Sequence, residues 1–149
     1  MTVSIESAST QDLALSVRNL TVSLPEGMER QHAVENLSFD LKRGQILCII
    51  GESGSGKSVT ANAIMGLLPK MIRVAGGAVD LEGRSIMGLP PGELRSLRGR
   101  VVSMIFQDPL SALNPLMTVG DQITEVMAAH GIGTSESRRS RAMEMLAEV

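Results

Sequence analysis

The chain has 149 residues, 43% of them apolar and 20% charged, with 14 Lys plus Arg against 16 Asp plus Glu and a formal charge of -2. This is ordinary globular usage, which excludes collagenous, disordered and disulfide-scaffold classes, and the near-neutral balance leaves no whole-chain field to draw in nucleic acid or anionic lipid. Aromatic residues are 1%, only Phe39 and Phe106, so the base-stacking platforms of single-strand nucleic-acid binders are nearly absent.

Met1 to Thr10 lacks the basic start and apolar core of a secretory signal, and residues 1–12 are expected to be a disordered terminus. From Leu13, alternation through Leu15 and Val17, then Leu20, Val22 and Leu24, predicts a half-buried strand with a slip near Asn19. Pro25 to His32 is a polar turn, and Leu37, Phe39 and Leu41 alternate as a second strand closed by Lys42-Arg43-Gly44. Ile46 to Ile50 is apolar at every position, which predicts a strand buried on both faces of a parallel sheet. It is the longest aliphatic run and far shorter than the roughly 20 residues that span a bilayer, so a cytoplasmic chain is expected. The single cysteine, Cys48, lies inside it and is expected to be a buried apolar residue that forms no internal disulfide.

A glycine-rich turn follows, then a helix over Val59 to Leu68 stopped by Pro69. Ala78 to Arg84 reads as a short strand and turn, Pro90 and Pro91 open a helical turn, and Val101 to Phe106 is a second continuous apolar strand. Beyond Pro109, Val119, Ile123, Val126, Met127 and His130 fall at helical spacing, as do Ala142, Met145, Leu146 and Val149 after a Ser135 cap. The core is thus α/β, and two helices follow it. The bland readings take the rest: ten methionines, including Met104, Met127 and Met145, as core filling, His32 and His130 as isolated surface groups, and Arg138, Arg139 and Arg141 as a solvated helix face.

Chemistry concentrates in Gly51-Glu52-Ser53-Gly54-Ser55-Gly56-Lys57-Ser58, two glycines five apart followed by Lys and Ser. Glycines let the backbone approach phosphates closely, so successive N–H groups form an anion nest at a helix N-terminus. In such a loop Lys57 reaches the β- and γ-phosphates and the Ser58 hydroxyl ligates Mg²⁺. The pattern follows an apolar strand and precedes a helix, as the mechanism requires. It points to a nucleoside triphosphate without choosing the enzyme.

The choice comes from Met104-Ile105-Phe106-Gln107-Asp108-Pro109-Leu110-Ser111-Ala112-Leu113-Asn114-Pro115, with Thr118-Val119-Gly120 and Gln122-Ile123 after it. This segment resembles the Q-loop region of ABC transporter ATP-binding subunits, and more narrowly the dipeptide, oligopeptide, glutathione and nickel import group. Ala33-Val34, Leu37-Ser38-Phe39, Gly44, Gly51-Glu52-Ser53-Gly54 and Leu97-Arg98-Gly99 look like that group too, so the resemblance covers nearly all of the chain from Leu13 onward.

The resemblance implies an α/β fold of the P-loop NTPase class, an ABC-type nucleotide-binding domain present in part. A nucleotide-binding core spans 13–107, and the Q-loop with the start of a helical subdomain spans 108–149. ATP and Mg²⁺ are the implied ligands. The implied nucleotide contacts are Val34, Gly51, Glu52, Ser53, Gly54, Ser55, Gly56, Lys57, Ser58, Val59 and Gln107. Lys57 and Gln107 would be catalytic, and Ser58 and Gln107 would touch the metal. Residues 108–114 would meet a coupling helix of the membrane subunit. Implied partners are transmembrane permease subunits, a second ATP-binding subunit and, indirectly, a solute-binding protein outside the cell. The implied location is the inner face of the membrane, peripherally.

Two departures stand beside the resemblance. The position where such subunits offer an aromatic for stacking on adenine is Leu24 here, which shifts base contact toward Val34. The family's signature Leu-Ser-Gly-Gly-Gln, its Walker B Asp-Glu pair and its switch His follow the helical region and have no counterpart in these residues, so no catalytic Glu is identified. ATP binding with little hydrolysis is therefore expected of this chain. Two other readings compete: a compact P-loop kinase or GTPase using Asp108 for metal, and an inert truncation whose apolar strands have uncovered edges.

Overall fold

The computed structural model describes residues 12–108 and 113–149. The expected disordered terminus, apart from Asp12, and Pro109 to Ala112 of the Q-loop segment lie outside the described residues. Two compact units divide the chain, one ending at Leu94 and the other running from Arg95 to Val149.

Alternating apolar residues build the first unit. β1, Leu13–Ser23, and β2, His32–Lys42, pair antiparallel, and β1 pairs on its other edge with β3, Arg73–Leu81, which turns back into the two-residue β4, Arg84–Ser85. The sheet order is β2-β1-β3-β4. The inward set of this alternation, Val17, Leu20, Val22 and Val79, is essentially inaccessible to water. The slip expected near Asn19 is a bulge. Asn19 and Asn36 both take left-handed φ, 50° and 49°, and the register jumps between Val17 and Leu20. Side chains across the pair meet the freed backbone groups: Asn19 N–H donates to Ser38 Oγ at 2.8 Å and Asn36 N–H to Thr21 Oγ1 at 3.1 Å.

α1, Lys57–Met65, lies against β1 and β2 and buries Thr60, Ala63 and Met65. It begins two residues before the expected start, because the phosphate-loop pattern itself supplies the first turn, and ends at the left-handed Gly66, ahead of Pro69. β3 is likewise longer than the expected Ala78 to Arg84, since its pairing with β1 reaches back to Arg73.

The second unit is helical. α2, Pro91–Leu97, enters it, and α3, Val119–Ala129, packs on α4, Ser135–Ala147. Thr134, not Ser135, caps α4: its hydroxyl accepts from Ser137 N–H while Ser137 Oγ accepts from Thr134 N–H, a reciprocal box.

Several expectations need correction. Ile46 to Ile50 forms no strand, and Ile46 and Ile50 are each 94% exposed. Val101 to Phe106 forms none either, apart from one bridge between Arg98 and Val102, and Ile105 is also 94% exposed. An all-apolar run becomes a buried strand only when parallel neighbours and helices cover both its faces. The pairings that build the sheet, β1 with β2, β1 with β3 and β3 with β4, are all antiparallel and made by other segments, and the Arg98–Val102 bridge, though parallel, is isolated. Cys48 is exposed for the same reason. Of the three methionines singled out as core filling, Met145 is 45% exposed, whereas Met65 is the buried one. His32 and His130 are half-buried, and His32 Nδ1 lies 3.3 Å from Ser23 Oγ.

Candidate functional site

The glycine-rich turn leads directly into α1. Gly54 and Gly56 hold φ of 79° and 93°, a region that costs L side chains energy. Gly56 is doubly constrained, because a Cβ there would lie 2.5 Å from the Ala33 carbonyl oxygen and 3.0 Å from Val34 Cγ2. β2 thus forms the wall against which the loop closes. Val34 is 8% exposed in that wall, so its side chain supports Gly56 and leaves little surface for other contacts.

Lys57 folds back over the loop. Its Nζ donates to the carbonyl oxygens of Gly51 at 2.6 Å and Glu52 at 2.7 Å, and to Ser55 Oγ at 3.3 Å. These fill the three donors of an ammonium. The Ser55 N–H donates to the Glu52 carbonyl at 3.2 Å, tightening the turn. From the β1–β2 turn, Arg30 Nη2 donates to the Gly54 carbonyl at 2.7 Å. The position of Leu24 is explained by the same turn: it is half-buried and its N–H donates to the Gln31 carbonyl at 2.9 Å, closing Pro25 to Gln31.

The fit to a polyphosphate rests on what α1 lacks. The first N–H groups of a helix have no intrahelical partner and carry the positive end of its dipole. At α3 and α4 a threonine cap and an acidic residue, Asp121 or Glu136, meet that need. At α1 the cap position is Gly56, no side chain caps it, and no acidic residue stands in the first turn. Instead Lys57 adds a positive charge. The turn therefore presents uncompensated donors and a cation, the chemistry that receives an anion.

Ser58 is exposed at the second position of α1, and Val59 is half-buried behind it. No group of three or more His, Cys, Asp or Glu that could hold a metal occurs among the described residues. Gln107 is exposed in the second unit, so the sites fall in two groups: Gly51 to Val59 with Val34 in one unit, Gln107 in the other. In that second unit Gln122 straps the segment after Gln107. Its Oε1 accepts from Asn114 N–H at 2.9 Å, and its Nε2 donates to the carbonyls of Asn114 at 3.0 Å and Met117 at 3.2 Å. Neither this strap nor Arg30 is legible by residue type, since a lone Gln on a helix and a lone Arg in a turn are commonplace. No helix among the described residues is long and apolar enough to cross a membrane.

A turn closed by a lysine and opening on an uncapped helix is the arrangement that defines the P-loop class of proteins. The comparisons narrow the class. The family described as ABC transporter matches residues 34–149. The oligopeptide transport ATP-binding protein OppD of Escherichia coli K12 is 50% identical over 80% of this chain and 35% of its own length. The peptidoglycan transport ATP-binding protein YejF of Agrobacterium fabrum is 42% identical over 97% of this chain and 27% of its own. The dipeptide transport ATP-binding protein DppD of Bacillus subtilis is 43% identical over 91% and 41%. Among solved structures, the dimeric ATP-binding cassette MJ0796 bound to ADP and Pi superposes with a TM-score of 0.72 at 27% identity, over 89% of this chain and 56% of that one. The chain belongs to the ABC transporter family and has the cassette's P-loop NTPase fold. It spans between about a quarter and two fifths of the length of these three curated relatives.

Proposed function

We propose that this chain is the nucleotide-binding part of an ABC importer's ATP-binding subunit, one that couples ATP binding and hydrolysis to uptake of peptides or similar small solutes. The observation that carries the reading is the uncapped, lysine-closed turn Gly51–Ser58 at the start of α1. Relatives named for peptidoglycan, dipeptide and oligopeptide transport support the solute class. The same family favours this reading over a compact kinase or GTPase using Asp108.

Binding follows from the geometry. The long 3.3 Å contact to Ser55 Oγ is the weakest of the three that Lys57 makes, so a phosphate oxygen replaces it while the two carbonyl contacts keep the ammonium in place. The N–H groups at the start of α1 then take phosphate oxygens. Mg²⁺ supplies charge neutralisation across the phosphates when bound, with Ser58 Oγ as its protein oxygen. Gln107 is assigned to the metal and the attacking water. Val34 acts by holding the loop's wall behind Gly56.

Transmembrane permease subunits, a second ATP-binding subunit and an external solute-binding protein are the proposed partners, and the inner membrane face is the proposed location. A dimeric cassette among the structural relatives supports the second subunit. Calorimetric titration of the full chain with MgATP tests the reading: saturable binding lost in Lys57→Ala is expected, with little hydrolysis by the chain alone. Robust turnover by the isolated chain, abolished by that variant, would overturn the expectation of little hydrolysis, and absence of saturable MgATP binding would contradict the proposal. In the assembled transporter Gln107→Ala should lower ATPase activity more than Asp108→Ala, and the reverse order would favour the kinase or GTPase alternative.

A further inference from the structure

Arg30 stands outside every expected nucleotide contact, yet its guanidinium reaches from the β1–β2 turn to the crown of the phosphate loop and binds the Gly54 carbonyl at 2.7 Å. We infer that Arg30 is a positioning residue for nucleotide binding, holding the Gly54–Ser55 peptide so that the Ser55 N–H is available to a phosphate. The inference rests on the nucleotide-binding reading above.

A peptide unit is planar and trans, so a carbonyl held on one side directs the N–H of the next residue to the other. Gly54, at φ 79°, has no Cβ to restrict that plane, and a Cβ there would meet open space, so packing does not hold it either. The Arg30 bond is the external restraint the loop has at this peptide. On the far side the Ser55 N–H makes only a 3.2 Å bond to the Glu52 carbonyl, which already accepts from Lys57 at 2.7 Å. Leaving the Glu52 carbonyl for a phosphate oxygen therefore costs that acceptor little, provided the plane stays where Arg30 holds it.

Arg30 itself is well placed to act this way. The base of its arm is fixed, because the Leu24 N–H to Gln31 carbonyl bond closes the turn that carries it. Its charge is unspent by its own turn: Glu26 and Glu29, the acidic residues there, make no ion pair with it among the described residues. A guanidinium has five donors in a rigid fork, and one of them is used here. Lys57 and Arg30 thus grip the loop from two directions, Lys57 through the carbonyls of Gly51 and Glu52 and Arg30 through that of Gly54.

Two readouts on the full chain test this, using Arg30→Ala and Arg30→Lys. Without nucleotide, hydrogen exchange at the Ser55 amide should accelerate several-fold in Arg30→Ala and much less in Arg30→Lys, whose ammonium can still donate to the Gly54 carbonyl. In titrations with MgATP, Arg30→Ala should weaken binding about fivefold, the scale of one partly exposed charge-assisted hydrogen bond, and added guanidinium ion should restore part of the loss. The unliganded thermal midpoint should not move. Unchanged Ser55 exchange in Arg30→Ala overturns the inference, whatever the affinity does. So does a loss of affinity that tracks a fall in the thermal midpoint and is not recovered by Arg30→Lys, because that pattern marks a purely structural role. Failure of the unsubstituted chain to bind MgATP would instead sink the nucleotide reading, while the exchange measurement would still judge the contact itself.

Discussion

Gly56 and Lys57 are adjacent, and the phosphate loop depends on them in different ways. Gly56 is a matter of shape: with φ 93° and an imagined Cβ 2.5 Å from the Ala33 carbonyl, Gly56→Ala must push the loop away from β2. We expect a loss of about 2–3 kcal/mol in urea unfolding of the full chain, with weaker MgATP binding following from the displaced turn. Lys57 is a matter of charge. Its half-exposed side chain contacts only the loop, so Lys57→Ala should leave the unfolding free energy within about 0.5 kcal/mol and weaken MgATP binding by about 10- to 100-fold. The two substitutions thus separate the geometry of the cradle from its electrostatics. Gly51 to Ser58 could be picked out in the sequence because residue type and spacing are themselves the mechanism. Val34 needed the structure to place it, since only the fold shows β2 as the wall behind Gly56.

At the scale of elements, the helices divide by what completes their first turns. α4 is completed internally, and Thr134→Ala removes the hydroxyl that accepts from Ser137 N–H, so we expect a loss of about 1 kcal/mol, checked by unfolding and by faster hydrogen exchange at the Ser137 amide. α1 has no side-chain cap, and under the proposed function bound nucleotide should slow exchange at the amides of Lys57, Ser58 and Val59. The strap made by Gln122 belongs to this scale as well. It occupies both backbone groups of Asn114, and Asn114 Oδ1 in turn accepts from Leu116 N–H at 3.0 Å. Gln122→Leu should therefore raise exchange at Asn114 by more than at Leu116, whose own bond survives. Periodicity placed α3 well, because its apolar residues recur at helical spacing. The start of α4 was misplaced by one residue, as Thr134 and Ser135 are both good caps and only the reciprocal bond to Ser137 distinguishes them.

Across the whole molecule, burial is uneven in a way that composition conceals. Leu20 is fully buried in the antiparallel sheet, whereas Ile46 and Ile50, no less apolar, are each 94% exposed. Leu20→Ala should cost about 2–5 kcal/mol in unfolding, and Ile46→Lys with Ile50→Lys should each stay within about 0.5 kcal/mol while making the chain less prone to associate. Light scattering beside the unfolding curves checks both halves of that expectation. If the lysines at 46 and 50 destabilise the chain strongly, these positions are buried in solution.

Local rules acted where the determinant was local. The phosphate loop, the Asn19 bulge, the amphipathic period of α3 and the turn at Pro25 to Gln31 depend on residues within a few positions of one another, and the family pattern around Gln107 is equally a matter of contiguous residues. Tertiary structure decided what depends on distant partners. It showed that Ile46 to Ile50 and Val101 to Phe106 gain no parallel neighbours from the described residues, that Cys48 is consequently exposed, that Val34 backs Gly56, and that Arg30, a polar residue in a polar turn, reaches the phosphate loop. An apolar run specifies that it can be buried, but burial also requires neighbours, and those are set by the rest of the fold.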